Sequence, residues 1–410
     1  MITMFVFFFL IIILIYRFYF RYPLDFYYFM CFGVAYYIFS PYLLYLTGAL
    51  VSYPGILSWR EYFFSITEKY EYVCYIFFSL TVFVFFIKKI TACVPIPIIK
   101  FPIVSRFSLL FSACLIMILC FYLWYSAFES SLLFSGYTVE YSTQIMGNMA
   151  TANLLLNFLA LYAKLVNKSK VKNFYIFIMV VNSIFLLSMG GRMYVVTIII
   201  PWLMLYVNNV HDLKSFLKKF KVSILLIALV FLFCLIGIFR LGIRDLSFII
   251  YIFFAEPIFT SYSTVTYLLF NPEIPLLNDG ALFVNSFVGI IPSFLIDNKE
   301  TLYLLPEHLG FYYESPLGAT SVVIYLFTSF GILGSYFFIA LLTSFYTVLS
   351  RLSVNCDFFK AFYLCALSVV PFIFFRETFY ISTRVIVFPI FILPLFILIF
   401  DRCLIILSRK

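Results

Sequence analysis

Residues 222–239 read VSILLIALVFLFCLIGIF, a run without a single charge, with Lys214, Lys218, Lys219 and Lys221 before it and Arg240 and Arg244 after it. As a helix it would rise about 27 Å, close to the roughly 30 Å of hydrocarbon in a bilayer. The pattern recurs from end to end, and spans are predicted at 1–16, 26–50, 72–87, 107–128, 146–163, 173–189, 193–209, 222–239, 320–343, 358–375 and 385–400. Composition agrees. Of 410 residues 65% are hydrophobic and 11% charged, with a mean hydropathy of +1.10, whereas soluble chains carry roughly 25% charge. The expectation is an all-α polytopic integral membrane protein, a single transmembrane domain over 1–410 with about eleven (10–13) membrane helices.

The basic residues set the orientation. With alternating spans, one set of loops holds Arg17 and Arg21; Lys88, Lys89, Lys100 and Arg106; Lys164, Lys168, Lys170 and Lys172; Lys214, Lys218, Lys219 and Lys221; Arg351 and Lys360; and Arg402, Arg409 and Lys410, together 19 of the 27 basic residues. Only Asp25, Asp212, Asp357 and Asp401 join them, so this face carries +15 and the other −6, which make up the net +9. Short basic loops stay in the cytoplasm, so the amino terminus is expected outside and the carboxyl terminus inside. The positive balance then marks orientation, and no nucleic-acid partner is expected. Met1 to Tyr16 has neither a basic stretch before it nor a small-residue cleavage site after it and is expected to be a retained first span.

The nine cysteines are scattered through apolar runs and beside basic loops, with no paired spacing and no histidine partners. Neither a disulfide framework nor a zinc site is expected. Phosphate-binding glycine loops, dinucleotide fingerprints and zinc-protease motifs are absent from the sequence, so no cofactor or metal is expected and any substrate must arrive already activated.

Three outer segments exceed a tight turn: about 51–71, about 129–145, and 240–319 between spans 8 and 9. The last contains two apolar stretches, 246–270 and 281–296, broken by Glu256-Pro257 and by Pro292. They are read as interfacial helices of a large extracytoplasmic loop, because a further pair of spans would carry Glu273 and Asp279 to the basic face. A loop of this size is expected to pack over an outward-facing cavity.

Five outer arginines lie at or near helix ends: Arg192, Arg240, Arg244, Arg376 and Arg384. An arginine at bilayer depth costs a few kcal/mol unless it is paired or hydrated, and its planar fork suits phosphate oxygens. Arg192 follows Ser188-Met189-Gly190-Gly191 where the seventh span begins, so helix-start amides and guanidinium would face an anion together. The plainer reading of each is snorkelling to the headgroups. His308, in Pro306-Glu307-His308-Leu309-Gly310, could relay a proton or touch a phosphate, with Glu307 and Glu314 nearby; the plainer reading is a solvated loop histidine. His211, beside Asp212 on the basic face, reads as a solvated loop histidine. Glu256 and Glu377 are also close to arginines or spans, but no two carboxylates have a spacing that marks an acid–base pair.

The run of spans, the Gly-Gly-Arg helix start, the long outer loop opening with Arg240 and Arg244, the stretch Thr328-Ser329-Phe330-Gly331-Ile332-Leu333-Gly334, and the 57 Phe and 33 Tyr together resemble Wzy-type O-antigen polymerases. The resemblance covers most of the chain and is mainly architectural. It implies a metal-independent glycosyltransferase of the bacterial inner membrane that moves a growing polysaccharide from undecaprenyl diphosphate onto the next lipid-linked repeat unit at the periplasmic face. On that expectation Arg192, Arg240 and Arg244, with Arg376 and Arg384, hold the substrate diphosphate, while His308, Glu307 or Glu314 positions or deprotonates the acceptor hydroxyl. Related O-antigen ligases share a histidine in their last large outer loop, and His308 occupies a comparable place. The expected partners are the undecaprenyl-diphosphate-linked oligosaccharide and the bilayer, with a chain-length regulator and a flippase of the same pathway as candidates. The rival readings are a lipid-linked oligosaccharide flippase and an O-antigen ligase.

Overall fold

A computed structural model describes residues 2–20, 23–48, 59–99, 101–130, 133, 143–208, 213–240, 252–291 and 299–407. Every element among them is helical. In chain order they are α1 (Ile2–Tyr19), α2 (Phe26–Thr47), α3 (Trp59–Ser65), α4 (Thr67–Ala92), α5 (Arg106–Glu129), α6 (Thr143–Leu165), α7 (Ser169–Met189), α8 (Arg192–Asn208), α9 (Leu213–Arg240), α10 (Ala255–Phe270), α11 (Ala281–Asn285), α12 (Val322–Leu352), α13 (Asp357–Phe374) and α14 (Phe379–Leu407).

Among the described residues nine helices are long and apolar enough to cross a membrane. The other two predicted stretches, 193–209 and 222–239, are also helical, as α8 and α9. The outward faces of α1, α5 and α9 expose Phe5 (73%), Tyr122 (67%) and Ile227 (69%) among many similar side chains. Surfaces of that kind require an apolar solvent, so the chain is a multi-pass helical membrane protein.

Inside the bundle the helices are joined by amide side chains. Asn182 on α7 donates to the Met149 carbonyl on α6 (2.9 Å) and accepts from the Trp124 indole on α5 (3.0 Å). Asn153 reaches Ser183, and Asn157 accepts from Trp202 on α8 at 2.8 Å. Hydrogen bonds between membrane helices each contribute about 1 kcal/mol, and they also fix rotation.

Helix ends that the charge pattern assigned to one face do meet. Asp25, ahead of α2, binds Arg17 of α1 and Lys88 of α4, while Arg351 of α12 donates to the carbonyls of Thr91, in the last turn of α4, and of Val94 just after it. At the opposite ends of α1 and α4, Thr3 donates to Glu71.

The segment after α9 departs from expectation. Of the stretch read as the first interfacial helix, 246–251 lies outside the described residues, and 255–270 forms α10, which is buried along most of its length from Ala255 to Leu268. It packs against α2, α3, α4 and α12 instead of lying on the bundle. Within it Thr260, Thr264 and Thr266 donate back to carbonyls one turn earlier. A hydroxyl satisfied in this way tolerates a buried site. Of the second stretch, 281–291 forms α11 and a tighter turn, and 292–296 lies outside the described residues.

After α10 the chain runs without helix from Asn271 to Gly280 and threads into a break in α12. Gly331 sits at φ 69, ψ −175, which interrupts the helical ladder. The carbonyls and amides freed there are taken up by the inserted segment. Asn278 and Gly280 donate to Phe330 and Ser329, and the amides of Ile332 and Leu333 donate to Pro275 and Leu276. The Asn278 amide side chain reaches Phe327 and Thr328. Buried backbone must be satisfied somewhere, and here a second segment does it. A β-carbon on Gly331 would lie 2.6 Å from the backbone of Leu276 and Leu277, so no other residue fits. Beyond the break, 332–352 rises about 31 Å, enough to cross a bilayer without the preceding turns.

Candidate functional site

At the turn between α13 and α14, opposite the basic face, three charges meet. Arg376 donates through Nε to Glu256 Oε2 at 2.5 Å and through Nη1 to Glu377 Oε1. Glu256 stands in the first turn of α10, where the helix dipole favours a carboxylate. Glu377 is held by its own amide, which donates to Ile373 at 2.8 Å, and by the Thr378 cap of α14 that follows it. The Arg376 carbonyl accepts twice from Thr320, tying the turn to the segment entering α12.

Just ahead of the turn, α13 widens to i→i+5 pairing over Val370–Phe374, around Pro371. Such bulges often lie at functional sites. All three charged side chains are largely buried, at 18% exposure for Arg376, 25% for Glu256 and 8% for Glu377.

Two carboxylates on one guanidinium leave a surplus negative charge. Burial works against the charge on Arg376, but Glu256 and Glu377 outweigh it and hold the guanidinium above its ordinary pKa. For Glu377 burial dominates and raises its carboxyl pKa, with Arg376 opposing. A carboxyl shifted in this sense can take and return a proton nearer neutrality than a solvated one.

Tyrosines surround the cluster. Tyr37 of α2 lies in the field of Glu256, Arg376 and Glu377, and Tyr325 of α12 in that of Glu377 and Glu307. Tyr194 of α8 feels Glu377, Arg376 and Arg384 together. Among the described residues the buried hydroxyls of Tyr37, Ser329 and Ser382 have no hydrogen-bond partner. Buried orphans of this kind each cost about 1–3 kcal/mol and are rarely retained without use.

The nominated residues fall out unevenly. Arg376 is engaged by two carboxylates and is not an open anion fork. Arg384 is half-buried in the second turn of α14 and, among the described residues, is bonded to no carboxylate. Arg192 does open α8, after a left-handed Gly190 whose amide caps α7. It is half-buried, close enough to Cys234 of α9 to act on it electrostatically. Arg240 is the last position of α9, with its side chain outside the described residues, as is all of Arg244.

His308 and Glu307 are exposed in a short turn, where the Leu305 amide donates to His308 Nδ1 at 3.2 Å. Glu307 lies in reach of Tyr313, whose hydroxyl burial, opposed by Tyr325, pushes up to about 12. Glu314 accepts from Tyr262 of α10 at 2.5 Å, and its amide donates to Thr266, so it pins the outer segment to the inserted helix.

The pairing of Glu256 with Glu377 across Arg376 was not readable from spacing. A signal did exist: each carboxylate adjoins a helix break, at Pro257 and at the Thr378 cap, where a charge can sit without a soluble loop around it. Comparisons with protein-family models, with curated proteins and with solved structures find no match to this chain.

Proposed function

We propose that this chain is an O-antigen polymerase, a glycosyltransferase of the bacterial inner membrane that moves a growing polysaccharide from undecaprenyl diphosphate onto the next lipid-linked repeat unit at the periplasmic face. One observation carries the reading: acidic, guanidinium and phenol groups converge at the end of the bundle opposite the Asp25 cluster, around Glu256, Arg376 and Glu377. Breaking a glycosyl–diphosphate bond develops negative charge on the lipid diphosphate while the attacking sugar hydroxyl loses a proton. The two needs call for different residues at neighbouring positions.

On this reading Arg384 and Arg192, with Arg240 and Arg244, hold the diphosphate. Glu377, backed by Glu256 and kept in place by Arg376, receives the hydroxyl proton. His308, Glu307 and Glu314 line the approach of the acceptor. The eleven-span count and the periplasmic amino terminus belong to the same proposal, resting on the loop charges.

A second reading, a flippase for the same lipid-linked oligosaccharide, draws on the broken α12 and the segment threaded into it, since discontinuous helices are frequent in transporters. A gel of surface lipopolysaccharide from cells lacking this chain separates the two. Core capped by one repeat unit is the expected result, whereas core without any repeat unit points to the flippase or to a ligase.

A further inference from the structure

At the basic end of the bundle the structure holds a cavity of about 330 Å³ that the reaction above does not use. Its wall is built from the junction before α2, the last turns of α4, α8 and α12, and the start of α13. The charged groups on it are Lys88, Arg351, Lys360 and one carboxylate, Asp25.

Asp25 is fully committed. Its Oδ1 accepts from the Tyr28 amide at 3.0 Å to cap α2, and its Oδ2 is shared between Arg17 at 2.9 Å and Lys88. It cannot also balance the other two cations. Arg351 donates only to carbonyls, those of Thr91 and Val94. Among the described residues Lys360 meets no carboxylate, and Asp357, one turn earlier on the same helix, is exposed and off the cavity wall.

Basic side chains beside helix carboxyl ends are often no more than dipole caps, and Arg351 serves α4 in that way. Lys360 does not fit that account. It stands in α13 a single turn from the amino end, where the dipole opposes a cation. A half-buried ammonium held there beside further surplus positive charge is stabilised by an anion entering the cavity. Phe26, Met204, Leu205 and Leu364 give the wall an apolar side, next to the hydroxyls of Thr343, Thr347 and Ser350, and this mixture suits a phosphate carrying a hydrocarbon tail.

We infer that this cavity binds the phosphate group of an anionic amphiphile, with Lys360 and Arg351 as its principal contacts and Lys88 as the third. Basic pockets between membrane helices at headgroup depth recognise lipid phosphates in this way. The inference stands whether the chain is a polymerase or a transporter.

The test uses the full chain in detergent micelles, analysed by native mass spectrometry with phosphatidylglycerol, phosphatidylcholine or inorganic phosphate added. Retained phosphatidylglycerol, little phosphatidylcholine, and a drop of about tenfold or more in Lys360→Gln/Arg351→Gln are expected, with Lys360→Arg retaining the lipid. Competition by millimolar inorganic phosphate would assign the site to free phosphate; indifference to it assigns the site to the lipid. Unchanged phosphatidylglycerol retention in the double variant overturns the proposal.

If the double variant does not fold, a phosphatidylglycerol with a photoreactive tail is cross-linked to the unaltered protein. Label concentrated in peptides covering 343–364 supports the site. Label spread evenly around the bundle overturns it.

Discussion

At one end of the bundle a guanidinium lies between two carboxylates, Glu256 and Glu377; at the other a carboxylate, Asp25, lies between two cations, Arg17 and Lys88. The clusters have the same size and opposite surplus charge. They are also built differently. The Asp25 cluster stands on local sequence, since Arg17 and Asp25 flank one short connection and Asp25 caps the next helix. The Arg376 cluster joins positions 256 and 376, through the inserted α10 and the segment entering α12.

A cluster with surplus negative charge and a proton-ready carboxyl suits proton transfer, and one with surplus positive charge suits holding an anion. Arg376, nominated as a diphosphate contact, therefore serves to position its two acids. On the proposed function, the anion-binding role at that end falls to Arg384 and Arg192.

The break in α12 gives the largest expected effect. Gly331→Ala forces a side chain into a left-handed backbone and against Leu276 and Leu277, at a cost of roughly 2–6 kcal/mol. Loss of folded protein by size-exclusion chromatography in detergent is expected. Unchanged elution and melting would mean that the inserted segment does not hold the outer end together.

Next in size is Arg376→Gln, which leaves two buried carboxylates facing each other and should cost about 3–5 kcal/mol. Thermal melting followed by tryptophan fluorescence would read it, and adding Glu256→Gln and Glu377→Gln should recover much of the loss. Asp25→Asn at the inner end should cost less, about 1–2 kcal/mol, because asparagine still caps α2 and Lys88 is one-third exposed to water. If Asp25→Asn proved the more damaging of the two, the contrast between the ends would be misjudged.

The smallest effect is a pH slope. Because Glu377 has a raised folded pKa, its contribution to stability is present at low pH, below the ordinary carboxylate range, and is lost as pH rises through the raised value. Melting temperature should therefore climb as pH falls through the raised value toward the ordinary carboxylate range, with a contribution of at most about 1.4 kcal/mol per pH unit. Glu377→Gln should flatten that slope, and a slope equal to that of the unaltered protein would locate the titrating group elsewhere.

The sequence made the helical stretches legible because hydrocarbon imposes length and polarity on each of them separately. It under-read their extents: 72–87 is the middle of α4 (Thr67–Ala92), since a helix continues past the hydrocarbon until a cap or break stops it. Basic residues also marked correctly which ends of α1, α4 and α12 gather, because that rule acts loop by loop. Tertiary features stayed hidden. Gly331, inside the predicted span 320–343, looked like an ordinary helix glycine because the segment that fills its break, 275–280, lies far earlier in the chain. The acid pair across Arg376 has no local spacing at all, and Arg384 and Arg192 could be nominated by position but not placed in its neighbourhood.

The most direct test of the account is the surface-polysaccharide ladder of cells whose only copy of this chain carries Glu377→Gln, with membrane abundance measured in parallel. Protein at normal abundance with a single repeat unit on the core is the expected outcome, and the same lesion from Arg384→Ala would place both residues in one reaction. A full-length ladder from Glu377→Gln would contradict the assignment of the acidic outer cluster to the transfer of sugar.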